Sequence, residues 1–271
     1  MVILALNVEI AGVDFEYRLA GFTGQVDNRL DEFGIIHSSI LNRVTGAQYT
    51  VNNDPKTMFT RCETLMLDMD GTVLDLAYDN YVWKELVPEH YAKVTGIGID
   101  DARNRLFAKY HEIQGDIQWY CLDHWSERLG LDVLELHRGV NHRIGYLPGA
   151  KKFLEALREH NVRVLLVTNS HPDTLALKDE VTGLAGYFDA IYTSHQFGFA
   201  KERQEFWQAL QKEEHFVTDS TLFVDDNRTV LNSANTYGLD MLVETSQPDT
   251  SEPVRETAAY TGVKGVADML P

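Results

Sequence analysis

From residue 148 onward, short apolar runs alternate with segments whose apolar residues recur at helical spacing. Residues 162–168 form an apolar, β-branched run, which is typical of a buried strand. Phe153, Leu154 and Leu157 share one face of a predicted helix. Strands separated by single helices predict right-handed crossovers and a mostly parallel sheet. The predicted strands are 63–68, 162–168, 188–193, 221–225 and 241–243, and the helices between them are 150–160, 174–182, 202–212 and 229–237.

A helical insert separates the first of these strands from the second. Tyr81, Leu86 and Tyr91 recur at helical spacing, and Pro88 is expected to break or kink that helix. No strand pattern interrupts residues 79–142. The sequence therefore predicts a sheet domain that comprises 58–78 and 147–271, with an all-helical insert at 79–146.

The two ends of the chain give weaker patterns. Residues 2–10, 15–19 and 43–51 could form strands, and no helical pattern lasts in this part. Residues 1–57 could be a small β-rich appendage, a poorly ordered extension, or an upstream stretch joined by a misplaced start codon, with Met58 as the alternative start. We expect them to be dispensable for chemistry. The polar tail from Thr245 is expected to lie over the surface.

Composition narrows the class of protein. The 271 residues carry a formal net charge of −17, which argues against binding of a nucleic acid polymer but leaves a small anionic substrate open. Two cysteines, Cys62 and Cys121, form neither a disulfide framework nor a zinc site by themselves. With no apolar run long enough to span a membrane and no convincing signal peptide, a cytoplasmic protein without membrane partners is expected.

An acidic pair follows the first strand of the sheet domain. Asp68 and Asp70 stand two positions apart, and Gly71 and Thr72 follow them. Two carboxylates this close repel each other, so both stay ionised only beside a cation, or else they share a proton. From this stretch alone, a catalytic or metal site and a solvated Asp-Gly turn are equally well supported.

Polar residues also follow other strands of the predicted sheet. Thr168-Asn169-Ser170 could bind phosphate oxygens or simply cap a helix. A second acidic pair, Asp225-Asp226, ends the fourth strand. Lys201 precedes a helix, where it could be a solvated charge or could neutralise a phosphate and nearby carboxylates.

Together and in this order, these four motifs resemble the haloacid dehalogenase superfamily of phosphohydrolases. The resemblance covers residues 62 to about 245. It implies a Rossmann-like, doubly wound α/β sheet with strand order 5-4-1-2-3, in which the first and fourth strands are neighbours. The one departure in these motifs is Glu202, which follows Lys201 where the family has proline, so a less rigid loop is expected.

The resemblance also implies roles for individual residues. Asp68 would attack phosphorus and form an aspartyl-phosphate, and Asp70 would act as general acid and then general base. A hard cation, Mg²⁺, is implied by the oxygen ligands. Its ligands would be Asp68, the backbone carbonyl of Asp70 and Asp226, with Asp225 as a further ligand through water or as a partner of Lys201. The phosphate would be bound by Thr168, Asn169 and Lys201.

In this superfamily a helical insert at this position is a cap that selects the substrate. Residues 75–88, 119–130 and 168–172 resemble bacterial 5′-nucleotidases that act on purine monophosphates such as GMP and IMP. Aromatic side chains of the cap could stack on a base, although most of them are expected to form the cap's own core. The candidate specificity residues are Tyr81, Trp83, Trp119, His124 and His171.

Two other classes of function remain open. A sugar-phosphate phosphatase or phosphomutase would use the same sheet domain. A protein that only binds a ligand on this fold is a third hypothesis, but such a protein has little reason to keep so many repelling carboxylates together. The sequence does not indicate an oligomeric state.

Overall fold

A six-stranded parallel sheet organises the part of the chain that follows residue 53. The structure is a computed structural model that describes residues 54–257 and 259–270, together with the backbone of 3–10 and 13–20. Its strands are β3 (Thr64–Leu67), β4 (Arg163–Thr168), β5 (Ala190–Thr193), β6 (Thr221–Asp225), β7 (Met241–Thr245) and β8 (Thr261–Val263). In space they run β5-β4-β3-β6-β7-β8. The predicted order 5-4-1-2-3 is therefore confirmed for the first five strands, with β8 added beside the fifth.

Strand β3 lies between β4 and β6 and fixes where the acidic motifs meet. Leu65 is in register with Val164 on one side and Leu222 on the other. Leu65, Met66 and Leu67 are fully buried, because helices cover both faces of a parallel sheet. The polar motifs after β3, β4 and β6 thus emerge side by side at the same edge of the sheet.

Helices surround the sheet and build the insert. In the sheet domain they are α1 (Pro55–Arg61), α7 (Ala150–Leu157), α8 (Pro172–Thr182), α9 (Ser194–Phe197), α10 (Gln204–Glu214) and α11 (Arg228–Tyr237). In the insert they are α2 (Ala77–Tyr81), α3 (Val87–Thr95), α4 (Ile99–Glu112), α5 (Leu122–Leu129) and α6 (Val133–Gly139). No helix among the described residues is long and apolar enough to cross a membrane.

The first helices of the insert are joined by a wide turn. The π-helical segment Val82–Leu86 connects α2 to α3, and Pro88 lies in the first turn of α3. Proline has no N–H to donate to a preceding carbonyl, so a helix that passes through it needs a local adjustment. The predicted kink is thus accommodated as a π turn.

The C-terminal segment lies over the surface only in part: residues 250–256 are exposed as predicted, whereas the prediction was wrong for residues 261–269. Residues 261–263 form β8, and the 3₁₀ turn Val266–Met269 follows it. Val266 and Met269 are almost fully buried in the cluster that also contains Phe59 and Phe153. Val263 belongs to the same cluster. These three apolar residues come from a strand of three residues and from a single helical turn. So short a pattern is hard to distinguish from a loop.

The N-terminal part forms a separate unit, Met1–Val51. Ile3–Ile10 (β1) and Val13–Ala20 (β2) pair as an antiparallel hairpin. The predicted strand at 43–51 lies outside the described residues. The boundary predicted at 57/58 falls within α1, whose N-cap is Asp54, so a start at Met58 would remove the first turn of that helix. That residues 1–57 are dispensable stays a prediction.

A buried histidine lies inside the insert. His137 is 1% exposed, and its Nδ1 lies 2.9 Å from the Tyr78 hydroxyl, which also contacts the His137 carbonyl at 3.0 Å. Burial lowers the pKa of His137 to about 3, and the Lys178 ammonium adds to this shift. The imidazole is therefore neutral in the folded protein at any pH near neutrality.

We expect Met269→Ala to lower the free energy of unfolding by about 2–5 kcal/mol, because it leaves a cavity in a closed apolar cluster. The matched control is Val254→Ala in the same C-terminal segment, where the side chain is 54% exposed and the expected change is within about 0.5 kcal/mol. Urea denaturation measures both. Equal stability of the two variants would show that this segment does not belong to the core.

His137 should also make stability depend on pH. The pKa of His137 is 6.5 in the unfolded chain and about 3 in the folded protein. Between these two pH values the unfolded state binds a proton that the folded state does not, so the free energy of unfolding falls as the pH falls. His137→Gln should reduce this slope by up to about 1.4 kcal/mol per pH unit. Urea denaturation at several pH values, with exposed His142→Gln as control, measures it. An unchanged slope in His137→Gln would contradict this assignment.

Candidate active site

Three carboxylates converge where β3 and β6 end. One oxygen each of Asp68, Asp225 and Asp226 lies within 4.8 Å of the other two. Asp68 is 6% exposed and Asp225 is 1% exposed. Since β3 and β6 are neighbours in register, the fold brings together the two acidic pairs that the sequence singled out.

The Lys201 ammonium lies between two of these carboxylates. It donates to Asp225 at 2.7 Å, to Asp68, and to the Val167 carbonyl at 3.0 Å. Burial alone would lower the pKa of Lys201, but Asp225 and Asp68 outweigh this and the net shift is upward. Lys201 is therefore held as a cation at the centre of the acidic cluster.

Burial and mutual repulsion disfavour the ionised carboxylates. Burial raises the pKa of Asp68 well above its usual range, against the opposing effect of Lys201. The pKa of Asp226 is raised to about 7, first by burial and then by Asp225, while Arg255 opposes the shift. These acids have too little positive charge around them, as expected of a site that binds a further cation.

The donor set fits a hard divalent cation. Asp68, Asp225 and Asp226 offer only oxygen atoms, which Mg²⁺ and Ca²⁺ prefer to softer ligands. The contacts to Lys201 and Arg255 leave a net negative charge on the three acids. Of the predicted metal ligands, the side chains of these three come together. The part assigned to the backbone carbonyl of Asp70 stays a prediction.

The phosphate-binding candidates follow β4. Thr168 is 1% exposed and its hydroxyl accepts the Ser170 N–H at 3.0 Å. The Asn169 carboxamide accepts the Lys201 N–H at 2.9 Å and donates to Glu202 at 3.0 Å. The side chain of Asn169 thus positions the loop that carries Lys201.

The residue after Lys201 ties the loop to two other segments. Glu202 accepts hydrogen bonds from Asn169 and, at 2.6 Å, from the hydroxyl of Tyr120 in the insert. Trp207 donates to the Lys201 carbonyl at 2.9 Å. These hydrogen bonds hold the loop where the family has proline, and the lower rigidity expected of it stays a prediction.

Sequence reasoning missed a buried ion triad. The Lys178 ammonium, on α8, donates to Asp70 at 2.7 Å and to both oxygens of Asp79 at 2.9 Å. Asp79 lies on α2 of the insert, so the triad joins the insert to the sheet domain. Lys178 shares the buried face of its helix with Thr174 and Leu177. A lysine at a position where the helical pattern requires an apolar residue is the signal that could have identified it.

The triad sets the acidity of Asp70. Burial raises its pKa to about 6, the Asp79 carboxylate adds to the shift, and Lys178 opposes it. A carboxyl group with a pKa near neutrality can both donate and accept a proton at physiological pH.

Arg255 is a second residue that the sequence did not indicate. It lies in the segment between β7 and β8 and donates to the Asp226 carboxylate at 3.1 Å. Gly71 lies on the other side of Asp226 with φ of +90°, and a Cβ on it would stand 2.8 Å from the Asp226 Cγ. Only glycine fits this turn, so Asp226 can approach the backbone that follows β3.

A cavity of about 1010 Å³ lies between the insert and the acidic cluster. Trp83, Trp119 and His171 line it. The other two specificity candidates are not among the residues that line this cavity: Tyr81 stacks against the Arg143 guanidinium at 3.9 Å, and the His124 ring packs edge-on against Trp125. Their part in specificity stays a prediction.

The aromatic side chains of the insert serve as its core and as a cavity wall at once. Trp83 packs against Tyr110 and Trp125 at 5.8 and 6.2 Å between ring centroids, and Trp119 packs against Tyr110 at 5.7 Å. Trp83 and Trp119 are only partly buried, so each keeps a surface towards the cavity.

Lys178→Met should lower the free energy of unfolding by about 3–5 kcal/mol, because it leaves Asp70 and Asp79 facing each other without their cation. The double variant Lys178→Met/Asp79→Asn should lose less free energy of unfolding than the two single variants lose together, by at least about 0.5 kcal/mol. Exposed Lys152→Met is the matched control. Urea denaturation measures the free energy of unfolding of the two single variants, the double variant and the control. A Lys178→Met variant as stable as Lys152→Met would show that Lys178 does not stabilise the two carboxylates.

Comparison with known proteins identifies the family. A family model of haloacid dehalogenase-like hydrolases matches residues 62–235. The GMP/IMP nucleotidase YrfG of Escherichia coli (strain K12) is 35% identical over 209 residues, which cover 77% of this chain and 94% of that protein. The D-ribitol-5-phosphate phosphatase of Bacteroides thetaiotaomicron is 26% identical over 213 residues, covering 72% and 95%.

A solved structure shows the same fold. A HAD phosphatase from Thermococcus onnurineus superposes with a TM-score of 0.64 at 20% identity, covering 76% of this chain and 95% of that one. The acidic cluster lies inside the span that the family model matches, apart from the contribution of Arg255. The chain therefore belongs to the haloacid dehalogenase-like hydrolases, among which it is a phosphatase.

Proposed function

We propose that the protein hydrolyses purine nucleoside 5′-monophosphates such as GMP and IMP through an aspartyl-phosphate on Asp68, with Mg²⁺ as cofactor. The observation that carries the proposal is that one cavity joins the acidic cluster to the aromatic wall of the insert. The phosphate would lie against the cluster and the base against Trp83 and Trp119.

In the first half of the reaction, an oxygen of Asp68 forms a bond to phosphorus and the bond to the leaving oxygen breaks. Asp70 gives its proton to that oxygen, so the nucleoside departs as a neutral alcohol. Lys201 and the Thr168 hydroxyl would bind the phosphate oxygens, which is supported by their position with Asp68 in the lining of the cavity.

In the second half, Asp70 takes a proton from water as the water oxygen bonds to phosphorus. The bond from phosphorus to Asp68 breaks, and inorganic phosphate leaves. The pKa of about 6 on Asp70 supports both directions of proton transfer. When bound by Asp68, Asp226 and the Asp70 carbonyl, with Asp225 beside them, Mg²⁺ supplies positive charge that offsets repulsion between the phosphate dianion and the acids.

The size of the cavity supports a substrate much larger than phosphate alone. A volume of about 1010 Å³ is at the upper end of ordinary ligand cavities. Stacking of a base on an aromatic side chain is worth about 1–3 kcal/mol. The nucleotidase activity of the E. coli relative agrees with this assignment, while the ribitol-phosphate activity of the Bacteroides relative makes a sugar phosphate the second candidate.

A substrate panel with Mg²⁺ tests the choice of leaving group. We expect kcat/KM for GMP or IMP to exceed that for ribitol 5-phosphate and hexose phosphates by roughly 5- to 150-fold, the equivalent of one stacked base. Chelation of the metal should abolish phosphate release from every substrate. A preference for a sugar phosphate would reject the nucleotidase assignment and leave the phosphatase intact.

Substitution of Asp68 and substitution of Asp70 should block different steps of the reaction. Asp68→Asn should lose phosphate release by roughly 1,000-fold or more and form no phosphorylated protein. Asp70→Asn, given an aryl phosphate whose leaving group needs no proton, should accumulate the aspartyl-phosphate, visible by mass spectrometry as one added phosphoryl group. Exposed Asp101→Asn is the matched control. Phosphorylation of Asp68→Asn would contradict the assignment of the nucleophile.

A further inference from the structure

A second group of metal-ligating side chains lies outside the acidic cluster, at the contact between the insert and the sheet domain. One ligand atom each of Cys121, His171 and His195 lies within 4.8 Å of the other two. Cys121 is the N-cap of α5 in the insert, His171 is the N-cap of α8, and His195 is in the first turn of α9. Three segments far apart in sequence thus bring a thiol and two imidazoles together.

The ring nitrogens of His195 make no hydrogen bond within the part of the chain that the structure describes. Both nitrogens are buried. A buried polar group without a partner costs free energy, so it calls for a ligand or an ion.

The surroundings of His171 complete a coordination sphere. Its Nε2 lies 3.9 Å from the carboxylate of exposed Asp123, two residues after Cys121. Its Nδ1 accepts the Asp173 N–H at 3.3 Å and lies 3.7 Å from the Asp173 carboxylate. If Nε2 bound a metal, the ring proton would move to Nδ1, which would then lose the hydrogen bond from the Asp173 N–H and donate to the Asp173 carboxylate instead.

We propose that Cys121, His171 and His195 bind a thiophilic divalent cation of the Zn²⁺ class, with Asp123 or water as the fourth ligand. Thiolate and imidazole select such a metal over Mg²⁺. Tetrahedral zinc would hold these atoms roughly 3.3–3.8 Å apart. Because they lie within 4.8 Å of one another, each pair would approach by at most roughly 1.5 Å on binding. The cation would link the insert, through Cys121, to the two helices of the sheet domain beside the cavity.

The site is distinct from the acidic cluster in residues and in chemistry. No residue is shared between the two groups, and one offers only carboxylates while the other offers sulfur and nitrogen. The proposal therefore does not depend on the nucleotidase assignment. The chain has only two cysteines, but a zinc site needs only one of them here because the fold brings two histidines next to Cys121.

The test is a Co²⁺ titration of the full-length protein with Mg²⁺ in excess, followed by absorption spectroscopy. We expect one equivalent of Co²⁺ to give a thiolate-to-cobalt charge-transfer band that Zn²⁺ abolishes by displacement. Cys121→Ser should lose the band, and Cys62→Ser, the matched change at the other cysteine, should keep it. His195→Gln should weaken Co²⁺ binding by at least about 10-fold. Zn²⁺ at 100 times its Kd should raise the unfolding temperature by roughly 5–10 °C in wild type.

Each of four results would overturn the proposal: no band in wild type under excess Co²⁺, a band retained by Cys121→Ser, a band lost in Cys62→Ser, or an unchanged affinity in His195→Gln. The metal-free unfolding temperature of each variant shows that it is folded. Because the band requires a cobalt–sulfur bond, Co²⁺ bound by the acidic cluster cannot produce it.

Discussion

The ion pairs of Lys201 with Asp68 and Asp225 are the interaction on which the site depends. Two carboxylates with so little exposure would each lose several kcal/mol of solvation without a partner. The ammonium offsets part of this cost, and it does so only if its loop is placed to within a fraction of an ångström. Asn169, Glu202 and Trp207 supply that placement through hydrogen bonds to the loop.

Much of the sheet domain could be predicted from the sequence because its signals are local. Buried parallel strands are apolar runs, and polar residues that follow them stand out. The position of Asp225 opposite Asp68 then follows from strand order, which the family resemblance supplied. The strand after the fifth was missed because Thr261–Val263 is too short to show a pattern and enters the sheet only by pairing with β7.

The residues that tune the acids could not be predicted, because they act across long distances in sequence. Lys178 is 108 positions from Asp70 and Arg255 is 29 positions from Asp226, and neither belongs to a motif. In sequence, Arg255 is one more charge in a polar tail. Aromatic residues of the insert were ambiguous for another reason: packing against one another and lining a cavity require the same residue types, so only the geometry separates Trp83 from Tyr81.

The Asp70–Lys178–Asp79 triad has a consequence for how such proteins diversify. The insert is a contiguous segment whose ends lie close together, since the Asp75 N–H donates to the Gly145 carbonyl at 2.9 Å. Asp79 lies within that segment, whereas its counter-ion lies outside it on α8. An insert that lacked the carboxylate would leave Lys178 with one partner instead of two, and the acidity of Asp70 would change with it. Replacement of the insert would therefore preserve the acidity of Asp70 only if the new insert carried an aspartate that pairs with Lys178.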